Sequence, residues 1–512
     1  VRQLTGLDAS FLYLETANSP MHIGGFTIYD PSTAPGGKVR FKQIVEHMHR
    51  RARRVPAMTS RLKTVPFSLD HPYWVADGDF DPEFHVRHIA LPKPGDWRQL
   101  CILISRIHAR PLDRSRPLWE AYVIEGLDDV AGFPKGCFAL YTKMHHAAID
   151  GASGVEINSV LHDLSADFAT NVDTEAEPFV EQSPKKTDML WQAQKNTLKL
   201  PFRFVGLTKD AAPSLYQAAK GIISGKLKRV SGIPRTRFNR NVSPHRVVDA
   251  LRVSFEDIRS IKAAYAPVTI NDVALTIVGG ALRQYLLAKN ELPESSLAAL
   301  APINIRTADK QGAAGNEVSQ MTVQLRTDIA DPRERLLAVN ESTRNAKELT
   351  NAIGAKTMTD YLQFTPSTLT ASAARLSSSL SLANRISPFY NCVVTNVPGP
   401  RIPLYFCGAK MLVSFPTGPA IDSVGLFQAI SSYCDEFTIT FTACREMLPD
   451  PEMYAQCLRD SLATLLDAAR QEAKQTPKLN KSGAPRKAKS AASKRIHKGA
   501  QNDSQQGLTE QQ

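Results

Sequence analysis

Met144-His145-His146-Ala147-Ala148-Ile149-Asp150-Gly151 is the stretch on which the reading of this chain turns. Cys137 to Met144, just before it, is rich enough in β-branched and aromatic residues to be a strand, and Asp150-Gly151 is a turn signal that ends the element. The two histidines therefore stand at a strand's exit. Neighbouring side chains of a strand point to opposite faces, so His145 and His146 should not address the same cavity while the extended geometry lasts, leaving one chemical and one structural. Imidazole takes and returns a proton near neutrality, and an aspartate such as Asp150 can fix its tautomer or hold a neighbouring cation, so the pattern fits general-base chemistry. A satisfied core histidine beside a solvated turn is the plainer alternative, which two adjacent histidines make harder to sustain. No nearby His, Cys or carboxylate cluster has ligand-like spacing, so no metal is expected.

The pattern His-His-x-x-x-Asp-Gly over 145–151 resembles the signature of the coenzyme-A-dependent acyltransferase superfamily, and further stretches narrow the likeness to the bacterial wax ester synthase/diacylglycerol acyltransferase family. These are Leu7-Asp8-Ala9-Ser10-Phe11, Pro20-Met21-His22-Ile23-Gly24, Pro117-Leu118-Trp119, Asn271-Asp272-Val273-Ala274-Leu275 and Asn396-Val397-Pro398-Gly399-Pro400. The seven-residue pattern alone is shared with acetyltransferases and with condensation domains of peptide synthetases. The resemblance covers roughly residues 1–175 and 245–470. It implies two chloramphenicol-acetyltransferase-like α/β domains, each a mixed sheet with flanking helices, and an active-site tunnel at their interface. It also implies His146 as the base and acyl-CoA as co-substrate, with no bound cofactor. Asp150, followed by Gly151, would pair with an arginine of the other domain, here Arg306. Asn271 would be a candidate oxyanion donor, although Asn271 and Asp272 also stand where a helix N-cap would. Pro117, Leu118 and Trp119 would lie near the cleft, and Trp119 could equally be core. The acceptor would be diacylglycerol or a long-chain alcohol. Another acceptor on the same fold, or a silent lipid-surface protein, remain the alternatives.

Length and composition agree with a globular body: 512 residues exceed one ordinary core, and 43% are hydrophobic. Seven cysteines without a Cys-x-x-Cys pair suit a reducing compartment, and nothing at Val1 reads as a secretory signal, so a cytoplasmic protein is expected. Periodicity assigns helices to Phe41–Arg54, Trp97 to about Arg110, Phe255–Ala264, Ile270–Lys289 and Pro451–Ala473. The basic second half of the first of these reads as a solvated face, with a coenzyme A phosphate site as the alternative.

The chain divides by composition into an N-terminal domain (1–175), an interdomain linker (176–245), a C-terminal domain (246–473) and a disordered tail (474–512). From Lys195 to Arg240 there are eleven Lys/Arg and one Asp, a net +10, and from Lys474 onward nine Lys/Arg and two acids, a net +7. The whole chain is +12, so the remaining body is about −5. Basicity segregated with Phe202, Phe204 and aliphatics in the linker suits an amphipathic element on an anionic membrane or lipid-droplet surface, at the inner face of the membrane. No recognition motif accompanies the charge, so nucleic acid is not expected as a partner.

Overall fold

The computed structural model describes residues 2–149, 159–167, 183–304, 318–353, 384 and 387–475. Two six-stranded mixed sheets organise it, with a small three-stranded sheet of β1 (Arg2–Gln3), β3 (Ser60–Lys63) and β4 (Tyr73–Ala76) at the N-terminal edge. In the first large sheet the order is β12 (Tyr405–Phe406), β13 (Ala409–Thr417), β2 (His22–Asp30), β7 (Phe138–His145), β6 (Trp119–Glu125), β5 (Val86–Ala90). All its pairs are antiparallel except β5 with β6. The second runs β10 (Val318–Gln324), β9 (Ala298–Asn304), β11 (Cys392–Pro398), β14 (Leu426–Tyr433), β15 (Glu436–Cys444), β8 (Arg246–Ser254), with β11 parallel to both neighbours.

The first sheet is buried on both faces, which is why β6 and β7 read as nearly continuous apolar runs. Trp119, Ala121 and Val123 face one core with Phe138 and Leu140, while Tyr122, Ile124, Ala139 and Tyr141 face another. The second core also takes Val248 and Ala250 of β8, so apolar burial joins the two halves. Helix Trp97–His108 seals it with Leu100, Ile104 and Ile107 at helical spacing; Asp96 caps its start, and Trp97 Nε1 donates to Asp249 Oδ1 at 2.7 Å.

Strands β12 and β13 come from the second half of the sequence yet pair beside β2, from Lys410 against Asp30 to Thr417 against Gly24. Strand β2 is therefore an interior strand, and the linear division at 246–473 does not follow sheet membership over 405–417. Gly24 permits the close approach on the other side, since a Cβ there would lie 2.4 Å from the Thr142 carbonyl oxygen.

The helices expected over Phe255–Ala264, Ile270–Lys289 and Pro451–Ala473 are found at Phe255–Ala264, Ile270–Ala288 and Pro451–Gln475. In Ile270–Ala288 the cap is Thr269, whose hydroxyl accepts from Asp272 N while Asp272 accepts from Thr269 N. Helix Phe41–Ala52 departs from a solvated basic face. His47 and Arg51 are buried, with His47 Nε2 on Leu161 O at 2.9 Å and Arg51 donating to Val160 O and to Asp163.

The linker contains one 38-residue helix, Lys186–Ile223, which runs across Pro201 and Pro213. Its small buried residues Ala193, Ala211 and Ala218, with Met189, share the face turned to the body. Beyond it the basic run is tied to the second half: Lys228 pairs with Glu341, Arg237 forks onto Glu291, and Phe238 is fully buried. Most of the tail, 476–512, lies outside the described residues.

Candidate active site

Strand β7 ends at His145, and a short 3-10 turn begins at His146. Both histidine amides are held by flanking carbonyls: His145 N donates to Leu118 O at 2.9 Å and His146 N to Met21 O at 2.8 Å. The Pro-Met-His and Pro-Leu-Trp stretches therefore act here through their backbones. Leu118 is fully buried and Trp119 is core, its Nε1 donating to Met58 O at 2.8 Å and its ring stacked on His85. The carbonyl of Pro117 accepts from Trp119 N.

The helix Gly6–Leu14 packs on this turn, with Phe11 meeting one ring and Glu15, just past the helix end, meeting the other. His145 Nε2 lies 2.6 Å from Glu15 Oε2, and Ala147 N–H donates to His145 Nδ1 at 3.1 Å. An amide can only donate, so Nδ1 is the acceptor and Nε2 carries the proton toward Glu15. Both His145 nitrogens are thus occupied. Arg114 donates to the same Glu15 oxygen at 2.9 Å and to Leu12 O at 3.1 Å. Burial pushes the Glu15 carboxyl up, yet His145 and Arg114 together hold it below the usual carboxylate range.

His146 is different. Its half-buried ring stacks on Phe11, with centroids 3.8 Å apart and planes 14° from parallel. Nδ1 is buried without a side-chain partner, its own backbone carbonyl being the group beside it. Among the described residues nothing occupies Nε2. Burial, opposed by that carbonyl and aided by His145, brings the ring down to about 4, so it is neutral at pH 7. Strand alternation is not what separates the two histidines, because the strand ends between them; hydrogen-bond occupancy distinguishes them.

Behind the pair runs a buried polar seam that the sequence reading did not single out. His22, opposite His145 in register, bonds through Nε2 to His108 O; His108 Nδ1 meets Tyr141 OH at 2.7 Å and its Nε2 donates to Gly418 O at 2.9 Å. Burial takes His108 down to about 3. The Lys143 ammonium, fully buried, donates to Arg110 O at 2.8 Å and lies 3.2 Å from Glu120.

In the second half Asn271 Oδ1 accepts from Asn396 Nδ2 at 3.4 Å, bringing together two of the stretches that carried the resemblance. Asp272 is buried and serves the cap, with Asn340 Nδ2 donating to it at 2.9 Å. Asp150, Gly151 and Arg306 lie outside the described residues. Glu15 is the functional-site residue that sequence reasoning missed; its only signal is a place four residues after Phe11, one helical turn along the same face.

A histidine pair at a strand's end on a two-sheet α/β frame, with one neutral imidazole that keeps a nitrogen free, is equipped for general acid–base catalysis. Residues 4–274 match the wax ester synthase/diacylglycerol acyltransferase catalytic domain, and residues 314–466 match the WS/DGAT C-terminal domain. A putative diacylglycerol O-acyltransferase of Mycobacterium tuberculosis (strain CDC 1551 / Oshkosh) is 32% identical over 476 residues, covering 92% of this chain and 91% of that protein. The wax ester synthase/diacylglycerol acyltransferase from Marinobacter aquaeolei VT8 is 28% identical, with a TM-score of 0.63 over 92% of this chain and 100% of that one. A mutant starter condensation domain of rhizomide synthetase RzmA, in complex with C8-CoA and Leu-SNAC, shares the fold at 13% identity, with a TM-score of 0.52 over 91% and 94% of the two chains. The chain belongs to the wax ester synthase/diacylglycerol acyltransferase family, and it is an O-acyltransferase.

Proposed function

We propose that this enzyme moves a long-chain acyl group from acyl-CoA to the hydroxyl of diacylglycerol or of a long-chain alcohol, with His146 as the base. The observation that carries the assignment is the contrast between the two rings: both nitrogens of His145 are engaged, whereas His146 is neutral and offers Nε2. Nε2 takes the acceptor's hydroxyl proton as the oxygen bonds to the thioester carbonyl carbon. The C–S bond then breaks, the proton passes to the coenzyme A sulfur, and an ester and a free thiol leave. An imidazolium of pKa about 4 is a strong acid for that second transfer, and no acyl-enzyme is needed. Asn271 Nδ2, whose partner oxygen is already bonded to Asn396, is the side-chain donor assigned to the oxyanion, and Asp150 with Arg306 is assigned a structural ion pair. Donor and acceptor would enter from opposite ends of a tunnel between the two halves.

These acceptors are insoluble, and no helix among the described residues is long and apolar enough to cross a membrane. Loading from a membrane or droplet surface is supported by helix Lys186–Ile223. Trp191, Leu198, Phe202, Val205, Tyr216 and Ile223 are all exposed, and at 100° per residue they fall within about 60° of one another, opposite the buried alanines. Lys195, Lys209 and Lys220 lie on the same side. An apolar stripe with interleaved lysines is what docking on an anionic lipid surface requires.

Thiol release from acyl-CoA in the presence of diacylglycerol and an alcohol series, with product lipids resolved by chromatography, tests the reaction. Ester formation with both acceptor types is expected; thiol release without any ester would reject it.

A further inference from the structure

Helix Phe255–Ala264 starts at its Ser254 cap and turns Arg259 and Lys262, three residues apart, to one side. With Phe255 and Ala263 they line a cleft of about 470 Å³ closed by Ala266, Ile270 and Arg401, a volume within the roughly 300–1,000 Å³ of small-molecule sites. Three cations and no carboxylate line it. Among the described residues neither Lys262 nor Arg401 has an acidic partner, and Arg259 lies 4.5 Å above the Phe255 ring and 3.6 Å from exposed Glu256. The cleft adjoins the polar pair of the second half: Ile270 precedes Asn271, and Arg401 follows the Asn396–Pro400 stretch, whose first residue is hydrogen-bonded to Asn271.

We infer that this cleft holds the phosphate-bearing nucleotide end of the coenzyme A thioester. The inference rests on the acyl-CoA reading above and adds to it where the donor binds. Phosphate esters concentrate negative charge that arginine forks and a lysine ammonium satisfy with charge-assisted hydrogen bonds, and Ala263, Ala266 and Ile270 add an apolar wall beside the cations. Two other basic regions serve this chemistry less well. Arg51 of helix Phe41–Ala52 is turned inward onto Asp163, and the cleft of about 120 Å³ at Arg237 and Arg240 also presents Glu291 and Glu446.

The test compares the full-length protein with R259Q/K262Q/R401Q and with K262E alone, using palmitoyl-CoA and palmitoyl-pantetheine, which lacks the nucleotide. The expected result is that the preference for the CoA donor, as a ratio of kcat/KM values, falls by about tenfold or more in the triple variant, the scale of one charge-assisted contact. The same direction is expected in K262E, with KM for palmitoyl-CoA rising. Adenosine 3′,5′-bisphosphate should compete with palmitoyl-CoA in the wild type and lose potency in the variants. An unchanged donor preference, or an equal loss with both donors, would overturn the inference while leaving acyl transfer intact. Competition by phosphatidylglycerol vesicles without competition by the nucleotide would assign the cleft to lipid headgroups and also overturn it. A wild type that releases thiol from neither donor would instead reject the acyl-CoA reading itself.

Discussion

At the scale of single residues, the site depends on which imidazole nitrogen is free. His146→Ala removes the assigned base and should cut turnover by at least ~10²-fold, the low end for a positioned base, while far-ultraviolet circular dichroism stays native; near-normal turnover would sink the assignment. The acid limb of kcat/KM follows from the ring's pKa of about 4: the base works unprotonated, so activity persists through pH 5 and is lost as pH falls through about 4. A limb centred near 6.5 would contradict it. Glu15 is expected to act as a positioning residue through His145. Glu15→Ala leaves the His145 proton and Arg114 without their acceptor, a loss of about 1–3 kcal/mol for an unsatisfied buried group. Glu15→Gln keeps an acceptor oxygen and should recover most of kcat, and equal kcat in the two variants would show that the contact does not position the ring.

At the scale of elements, the long helix shows why a basic run has to be read on a surface. The linker's net charge does not distinguish lysines beside an exposed apolar stripe from Arg237, which is committed to Glu291. The stripe, rather than the 226–240 segment, is therefore expected to contact lipid. Phe202→Glu/Val205→Glu should abolish flotation with anionic vesicles even at low salt, because both side chains are exposed and contribute the salt-resistant part of binding. Reversing Lys195, Lys209 and Lys220 should weaken flotation by about 1 kcal/mol per residue, and high salt should mimic that loss. Unchanged flotation by the glutamate variant would leave the helix as a strap between the halves, with contacts at Val65 on one side and through Lys228 at Glu341 beyond its end.

At the scale of the whole molecule, buried histidines set the acid sensitivity of the fold. His22, His47, His71, His85, His108 and His146 are all lowered, chiefly by burial. An unfolded chain binds protons at these groups near pH 6.5 that the native state refuses, so stability is full above that pH and falls as pH drops below it. Each fully mismatched histidine contributes up to about 1.4 kcal/mol per pH unit. The melting temperature should decline steadily between pH 7 and pH 5, before carboxylates titrate; a flat profile over that interval would show that these rings are protonated in the native state.

Much of this was legible in one dimension because the determinants are local. β-branched and aromatic content placed β7, and helical spacing placed the helices Ile270–Ala288 and Pro451–Gln475, within a residue or two. The histidine pair and the stretches around it were visible as motifs, and the charge segregation was visible as composition. What the sequence could not carry were facts created by long-range approach. Strand β13 crosses into the first sheet because an interior partner for β2 lies almost four hundred residues away along the chain, and no local pattern encodes that pairing. Glu15 becomes part of the site only when the end of the first helix is brought against a turn 130 residues later. His145 and His146 are chemically equal as letters; they differ because one ring meets a carboxylate and an amide, and the other meets the face of Phe11. Local chemistry supplied the parts, and tertiary packing decided which nitrogen was left free to react.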